Sequence, residues 1–182
     1  MRLVRNSKEF PISDVKEGSI VTIGAFDGLH LGHQELLNDV LSLSANHNLP
    51  TIVMSFEPMP KEFFANKRPP ARLMRFREKY DALKEYGINI FYCPNFNTDM
   101  QNIKSDTFIR QLLIHTLNMK YLVVGDDFRF AKNREGNLGQ LSSVSKTLGF
   151  SIKQVPSVIL EGERVSSTAI RKALEIGDLK NA

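Results

Sequence analysis

The chain has 182 residues, 42% of them hydrophobic and 24% charged, enough for one compact domain with a core, and its formal net charge of +4 suits small anionic ligands while being too weak to imply nucleic acid. Its single cysteine, Cys93, excludes an intrachain disulfide and a cysteine-based zinc cluster, and its place in the apolar run Ile90-Phe91-Tyr92-Cys93 predicts core packing. No stretch approaches the ~18 apolar residues of a membrane span and no signal peptide opens the chain, so a cytoplasmic protein with neither membrane nor nucleic-acid partners is expected, its oligomeric state unspecified.

In chain order, residues 2–19 offer a short strand and a polar connection with Pro11 and Gly18. The β-branched run Ile20 to Ile23 predicts a buried strand. It meets Gly24 and a tight Phe26-Asp27-Gly28 turn, beyond which a helical pattern runs from about Leu31 to His47. Thr51 to Phe56 reads as a second strand, ended by Glu57-Pro58-Met59-Pro60 because proline lacks the ladder donor. A basic loop from Lys61 to Ala71 leads into a helix over Arg72 to Tyr86, closed by Gly87, and Ile88 to Cys93 is the third strand. Asp106 is expected to cap a helix reaching about Leu117, with Phe108, Ile109, Leu112 and Leu113 on its apolar face. Tyr121 to Val124 is the fourth strand; after it come Gly125 to Phe130, a flexible basic piece from Ala131 to Asn137, and a helix from Leu138 to Leu148. Phe150 to Val155 is the fifth strand, and a short Val158 to Leu160 strand precedes a last helix, Ala169 to Glu175. This alternation predicts an α/β fold with a parallel sheet and helices on both faces, ligands binding outside the carboxyl ends of the strands at the switch point in strand order.

Four clusters carry the chemistry, and the chief of them is His30-Leu31-Gly32-His33. Its histidines stand at i and i+3 across a helix start, where unpaired N–H groups and a partial positive charge favour an anion and Gly32 lets it approach the backbone. Capping or surface histidines are the bland reading; a metal pair lacks a third ligand, and His47 and His115 look isolated. Phosphoryl and nucleotidyl transfer asks mainly for alignment and for donors where charge builds up, and this element supplies donors. The second cluster, Arg164-Val165-Ser166-Ser167-Thr168-Ala169-Ile170-Arg171, is a capped helix start at least, and a holder for outgoing pyrophosphate if it lies beside the first. Phe56 to Pro60 is a rigid loop suited to an aromatic ring, or simply a turn. Asp126-Asp127-Phe128-Arg129-Phe130 mixes carboxylates with aromatics, or is a hairpin with Phe128 and Phe130 on one face.

Taken together and in order, Ile23 to His33, Phe56-Glu57-Pro58, Val123 to Phe130 and Val165 to Arg171 resemble the adenylyltransferase module of bacterial bifunctional riboflavin kinase/FAD synthetases over nearly the whole chain. The resemblance implies a Rossmann-like, doubly wound, mainly parallel five-stranded sheet of the HxGH nucleotidyltransferase type. It also implies transfer of AMP from ATP to FMN, with magnesium, giving FAD and pyrophosphate by in-line attack without a covalent enzyme intermediate. By motif position, His30 and His33 would steady the ATP phosphates, and Ser167, Thr168, Arg164 and Arg171 would hold phosphate oxygens. Gly24, Phe26 and Asp27, with Gly32 and Ser166, would line the ATP site. Asp127, Phe128, Arg129 and the loop carrying Phe56, Pro58 and Pro60 would border the flavin. Any metal-binding residues are unassigned.

Three positions depart from the family pattern: Met59 stands where histidine is usual, and Ala131 and Asn133 stand where the loop usually has glycine. The chain stops at Ala182 with no Pro-Thr-Ala-Asn-like kinase motif, so a single adenylyltransferase-like domain over residues 1–182, without the kinase module, is expected; a single-activity enzyme and a piece of a longer one fit equally. Two other functions stay open: a flavin-nucleotide binding or regulatory protein with impaired turnover, and adenylyl transfer to another phosphate, as in pantetheine-phosphate or nicotinamide-mononucleotide adenylyltransferases.

Overall fold

A computed structural model describes residues 1–182. Two strands, β1 (Arg2–Val4) and β2 (Ser19–Ile23), open the chain, and β2 is buried at all five positions. Helix α1 (Leu31–His47) returns over the sheet to β3 (Thr51–Met54). The chain continues through a one-turn helix α2 (Pro60–Phe63), helix α3 (Phe76–Glu85) and β4 (Ile90–Tyr92). Short helices α4 (Thr98–Gln101) and α5 (Ser105–Thr107) lead into a π-helix (Phe108–Thr116), and then comes β5 (Met119–Gly125). A small hairpin, β6 (Arg129–Phe130) and β7 (Gly136–Asn137), precedes α6 (Leu138–Leu148) and β8 (Ser151–Val155). A second hairpin, β9 (Ile159–Leu160) and β10 (Glu163–Arg164), delivers the chain to α7 (Ser167–Glu175). No helix is long and apolar enough to cross a membrane.

The main sheet has the order β1-β4-β3-β2-β5-β8, parallel throughout. It has six strands where five were expected, because Arg2–Val4 pairs in register with Ile90–Tyr92 and becomes the outer edge. Strands alternate their side chains, so β2 sends Ile20 to one face and Val21 and Ile23 to the other. On the first face Ile20, Val53 and Phe91 pack with Leu37 and Val40 of α1 and Leu83 of α3. On the other, Val21, Ile23, Ile52 and Met54 pack with the π-helix through Ile109, Leu112 and Leu113. Cys93 is buried in the first core, as its apolar run predicts.

Several boundaries differ from expectation, each for a local reason. The helix expected from Arg72 begins at Phe76, because the amides of Leu73 and Met74 are turned to the Asp27 carboxylate, 3.0 Å away in each case. Asp106 does not cap the next helix. It pairs with Arg110, and Glu135 accepts from the Ser105 amide instead, at 3.0 Å. The last helix starts at Ser167, with Ser166 as its cap, accepting from Ala169 N–H at 3.1 Å. The basic piece after Phe130 is folded into the β6–β7 hairpin, in which Phe128 and Phe130 stack with ring centroids 5.6 Å apart.

The strand order reverses between β2 and β5: β3 and β4 build outward on one side of β2, and the chain then crosses to build β5 and β8 on the other. The loops leaving β2 and β5, Gly24 to His30 and Asp126 to Phe128, therefore flank the crevice where such sheets hold their ligands.

Candidate active site

The turn after β2 is built from unusual backbone. Phe26 and Leu29 have φ of 47° and 38°, and Gly28 has φ 92°. A Cβ at Gly24 would lie 3.1 Å from the Phe26 ring. Phe26 is fully buried and its ring lies 5.0 Å from that of His33, so the turn is fixed from beneath by an aromatic plug. Helix α1 then starts with His30 as its cap residue, without a side-chain capping bond. Its first turn therefore offers amide donors and the positive end of its dipole to the crevice.

His30 and His33 come together as their spacing predicts, stacked with ring centroids 3.8 Å apart. The Nδ1 atom of each is buried without a hydrogen-bond partner. Burial, then the Arg164 charge, pulls the His30 pKa down against a smaller opposing effect of Asp27. Burial, then His30 and then Lys79, lowers His33 to about 3. Both rings are thus neutral at pH 7, where they offer N–H donors without a charge. Fixed positive charge at the site comes instead from Arg164, Lys79 and the helix start.

The second cluster does lie beside the first. Gly32 is so close to the Arg164–Ser167 segment that a Cβ there would sit 4.0 Å from the Val165 carbonyl and 3.4 Å from the His30 ring. Ser167 Oγ donates to the Asp27 carbonyl at 2.8 Å. Two helix starts, those of α1 and α7, therefore converge on one point. Thr168 is exposed there.

Several side chains expected at the ATP phosphates and pocket have partners within the chain, Ser167 among them through its bond to the Asp27 carbonyl. Asp27, 1% exposed, has one carboxylate oxygen on the Leu73 and Met74 amides and the other on Arg171. The Arg171 guanidinium also donates to the carbonyls of Ala71, at 2.6 Å, and Ser167, at 3.1 Å. In this structure Asp27 and Arg171 form the clasp that fastens α7 to the β2 turn and to the segment before α3, and the Ser166 hydroxyl is spent on its cap. Arg164 stays nearer the crevice, held by Asp127 at 2.8 Å and Asp126 at 3.7 Å. Ser157 donates to Asp126 and keeps that carboxyl below its ordinary range.

A cavity of about 490 Å³ opens next to this point. Of the residues expected to border a flavin, Phe56, Pro60, Phe128 and Arg129 line it, while Pro58 and Asp127 do not; Asp127 belongs with Arg164. Ile23, the last residue of β2, joins the cavity wall to Gly24 and the turn that leads to the histidine pair. Phe64, Phe96, Met100, Ile103 and Arg134 also line it without having been anticipated. Phe56, Phe63 and Phe64 all pack edge-on against Phe96, at 5.2 to 5.7 Å. The Phe63-Phe64 pair in an otherwise basic loop was the available signal. Met59 is buried at the start of α2, its amide donating to Glu62 at 2.9 Å, and is not in the cavity wall. Asn133, with φ 53° and ψ 22°, adopts the left-handed conformation, and Ala131, with φ 64° and ψ −172°, adopts an extended positive-φ conformation otherwise almost confined to glycine, so the loop keeps a glycine-type turn at a cost in backbone strain.

The carboxylates here do not fit a resident divalent metal. No group of three ligating side chains gathers anywhere in the chain, and Asp27, Asp126 and Asp127 each face an arginine.

A parallel sheet open at its switch point, a neutral histidine pair at one helix start, a second helix start against it and an aromatic cavity alongside define a Rossmann-like nucleotidyltransferase domain. The sequence profile of FAD synthetase matches residues 12–169, and the chain belongs to that family. It is 41% identical over 168 residues to the bifunctional riboflavin kinase/FMN adenylyltransferase of Haemophilus influenzae, covering 92% of this chain and 54% of that protein. With the protein of the same name from Escherichia coli K12 the identity is 41% over 177 residues, covering 96% and 55%. The chain thus spans a little over half the length of these curated relatives. Among solved structures, one titled as a macrolide-efflux protein from Streptococcus pneumoniae superposes with a TM-score of 0.83 at 27% identity, over 100% of this chain and 59% of that one.

Proposed function

We propose that residues 1–182 act as one domain that transfers AMP from ATP to FMN, giving FAD and pyrophosphate, in the cytoplasm and without nucleic-acid or membrane partners. The observation that carries this reading is the adjacency of an aromatic cavity, large enough for a three-ring heterocycle, to two converging helix starts. In this arrangement the flavin ring stacks among Phe56, Phe128 and Phe64, and its phosphate points from the cavity toward Gly24 and His30. That phosphate is already anionic near pH 7 and attacks the α-phosphorus of ATP in line, so no general base is needed. His30 and His33, as neutral donors, together with the amides of α1, stabilise the charge that develops on the phosphate chain. Thr168, the amides of α7 and Arg164 receive the departing pyrophosphate. Magnesium enters as the companion of ATP, bound mainly by its phosphates, in keeping with the absence of a protein cage.

Purified protein given FMN, ATP and magnesium should release FAD and pyrophosphate, read by chromatography and a phosphate-coupled assay. His30→Ala should lower kcat by about 10²-fold or more, as loss of a preorganised donor does. No FAD from the unmodified protein, while another acceptor phosphate does release pyrophosphate, would refute the assignment of FMN.

A further inference from the structure

Helix α3 carries a lysine where its apolar stripe calls for a hydrophobic residue. Phe76, Lys79, Tyr80 and Leu83 fall at the i, i+3, i+4, i+7 spacing of one face, and Lys79 is buried alongside Leu83, only 3% exposed. Its ammonium donates one hydrogen bond, to the Ala25 carbonyl at 2.6 Å, in the turn between β2 and the histidine pair. Three arginines around the crevice have carboxylate partners: Arg72 has Glu57 and Glu62, Arg164 has Asp126 and Asp127, and Arg171 has Asp27. Lys79 has none within ion-pair distance. A buried cation with a single neutral acceptor is costly unless something else completes its shell.

We propose that Lys79 is a positioning residue of the transfer site: through the Ala25 carbonyl it pins the Gly24–Asp27 turn, and its unpaired ammonium takes the phosphate chain of bound nucleotide as its counter-ion. The inference rests on the reading of this crevice as an ATP site. The groups that face Lys79 support it. From α1, His33 feels the lysine charge and is held neutral partly by it. From the turn and the loop after β3, Asp27 and Glu57 favour its charged form, with both carboxylates already bonded to arginines, and Arg72, before α3, opposes it. From β4, Cys93 lies near enough for the two to perturb each other, and its thiol, pushed up by burial to about 11, brings no negative charge at pH 7. Burial itself pulls the lysine pKa down, and an arriving polyanion is the partner that would favour the ammonium against it.

Two variants separate the charge from the hydrogen bond. Lys79→Met removes both, and Lys79→Gln keeps a donor for the Ala25 carbonyl. Both should raise KM for magnesium-ATP about tenfold and leave KM for FMN within about twofold, and in both the His33 imidazole should titrate at higher pH by NMR. A Gln variant with unmodified KM for ATP and unmodified His33 titration would overturn the proposal. If neither variant folds, the unmodified protein decides: with 15N-labelled lysine, the Lys79 Nζ pKa should rise on saturation with a non-hydrolysable ATP analogue, and an unmoved Nζ overturns the proposal. That titration needs binding only, so it remains informative even if no FAD forms and the assigned reaction fails.

Discussion

Replacing His33 by glutamine should change how stability depends on pH more than it changes stability at pH 7. In the folded chain the His33 ring protonates only near pH 3, held down by burial, by His30 stacked on it and by Lys79, whereas in the unfolded chain it titrates near 6.5. Between those values the unfolded state carries one more proton at this position, so stability falls as pH falls, by ~1.4 kcal/mol per unit. From pH 6.5 to pH 5, a range above the titration of most carboxylates, that amounts to ~2 kcal/mol lost by the unmodified protein and not by the variant. Urea unfolding of both proteins at half-unit steps from pH 7.5 to pH 5 measures it directly. The curve of His33→Gln should be flatter, so that the variant gains on the parent as the solution is acidified. Parallel curves would mean that His33 protonates in the folded state at its ordinary pKa, and the neutral-donor account of the site would fall with them.

Asp27→Asn leaves Arg171 facing an uncharged partner in a buried setting and should cost ~3 kcal/mol of unfolding free energy, as breaking a buried pair does; a loss under ~1 kcal/mol by urea unfolding would show that the clasp is not what holds α7. Thr22→Val removes a buried hydroxyl that has no partner and leaves the shape intact, so it should stabilise the protein by ~1 kcal/mol and raise Tm. Arg164→Gln takes away the charge that, after burial, most depresses His30, and the His30 imidazole should then titrate at higher pH by proton NMR.

The strand-turn-helix around His30 was legible because its signals are local: a β-branched run, glycines and an i,i+3 pair are read within a few residues of one another. The sheet class followed from the alternation of such runs. What was not legible depends on distant partners. Asp27 reads as a pocket residue by motif position, yet its carboxylate is claimed by residues 46, 47 and 144 positions further along the chain. Arg171 reads as a phosphate ligand for the same reason and is turned to that carboxylate. Arg2–Val4 is too short to announce an edge strand until Ile90–Tyr92 is placed beside it. Lys79 looks like any surface lysine unless the helix stripe it interrupts is counted, and Phe96 stands alone in a polar segment whose aromatic neighbours arrive from another loop.

The Asp27–Arg171 clasp joins the turn after β2 to α7, 144 residues further along, and this fixes when the crevice can be completed. A ribosome synthesising the protein delivers Gly24 to His33 well before Val165 to Arg171. The central strands can pair in the interval, but the turn carrying Asp27 lacks its fastening until α7 arrives. Until α7 has been made, the nascent chain holds only one of the two helix starts, and the crevice is completed by a segment that lies more than a hundred residues beyond its first half.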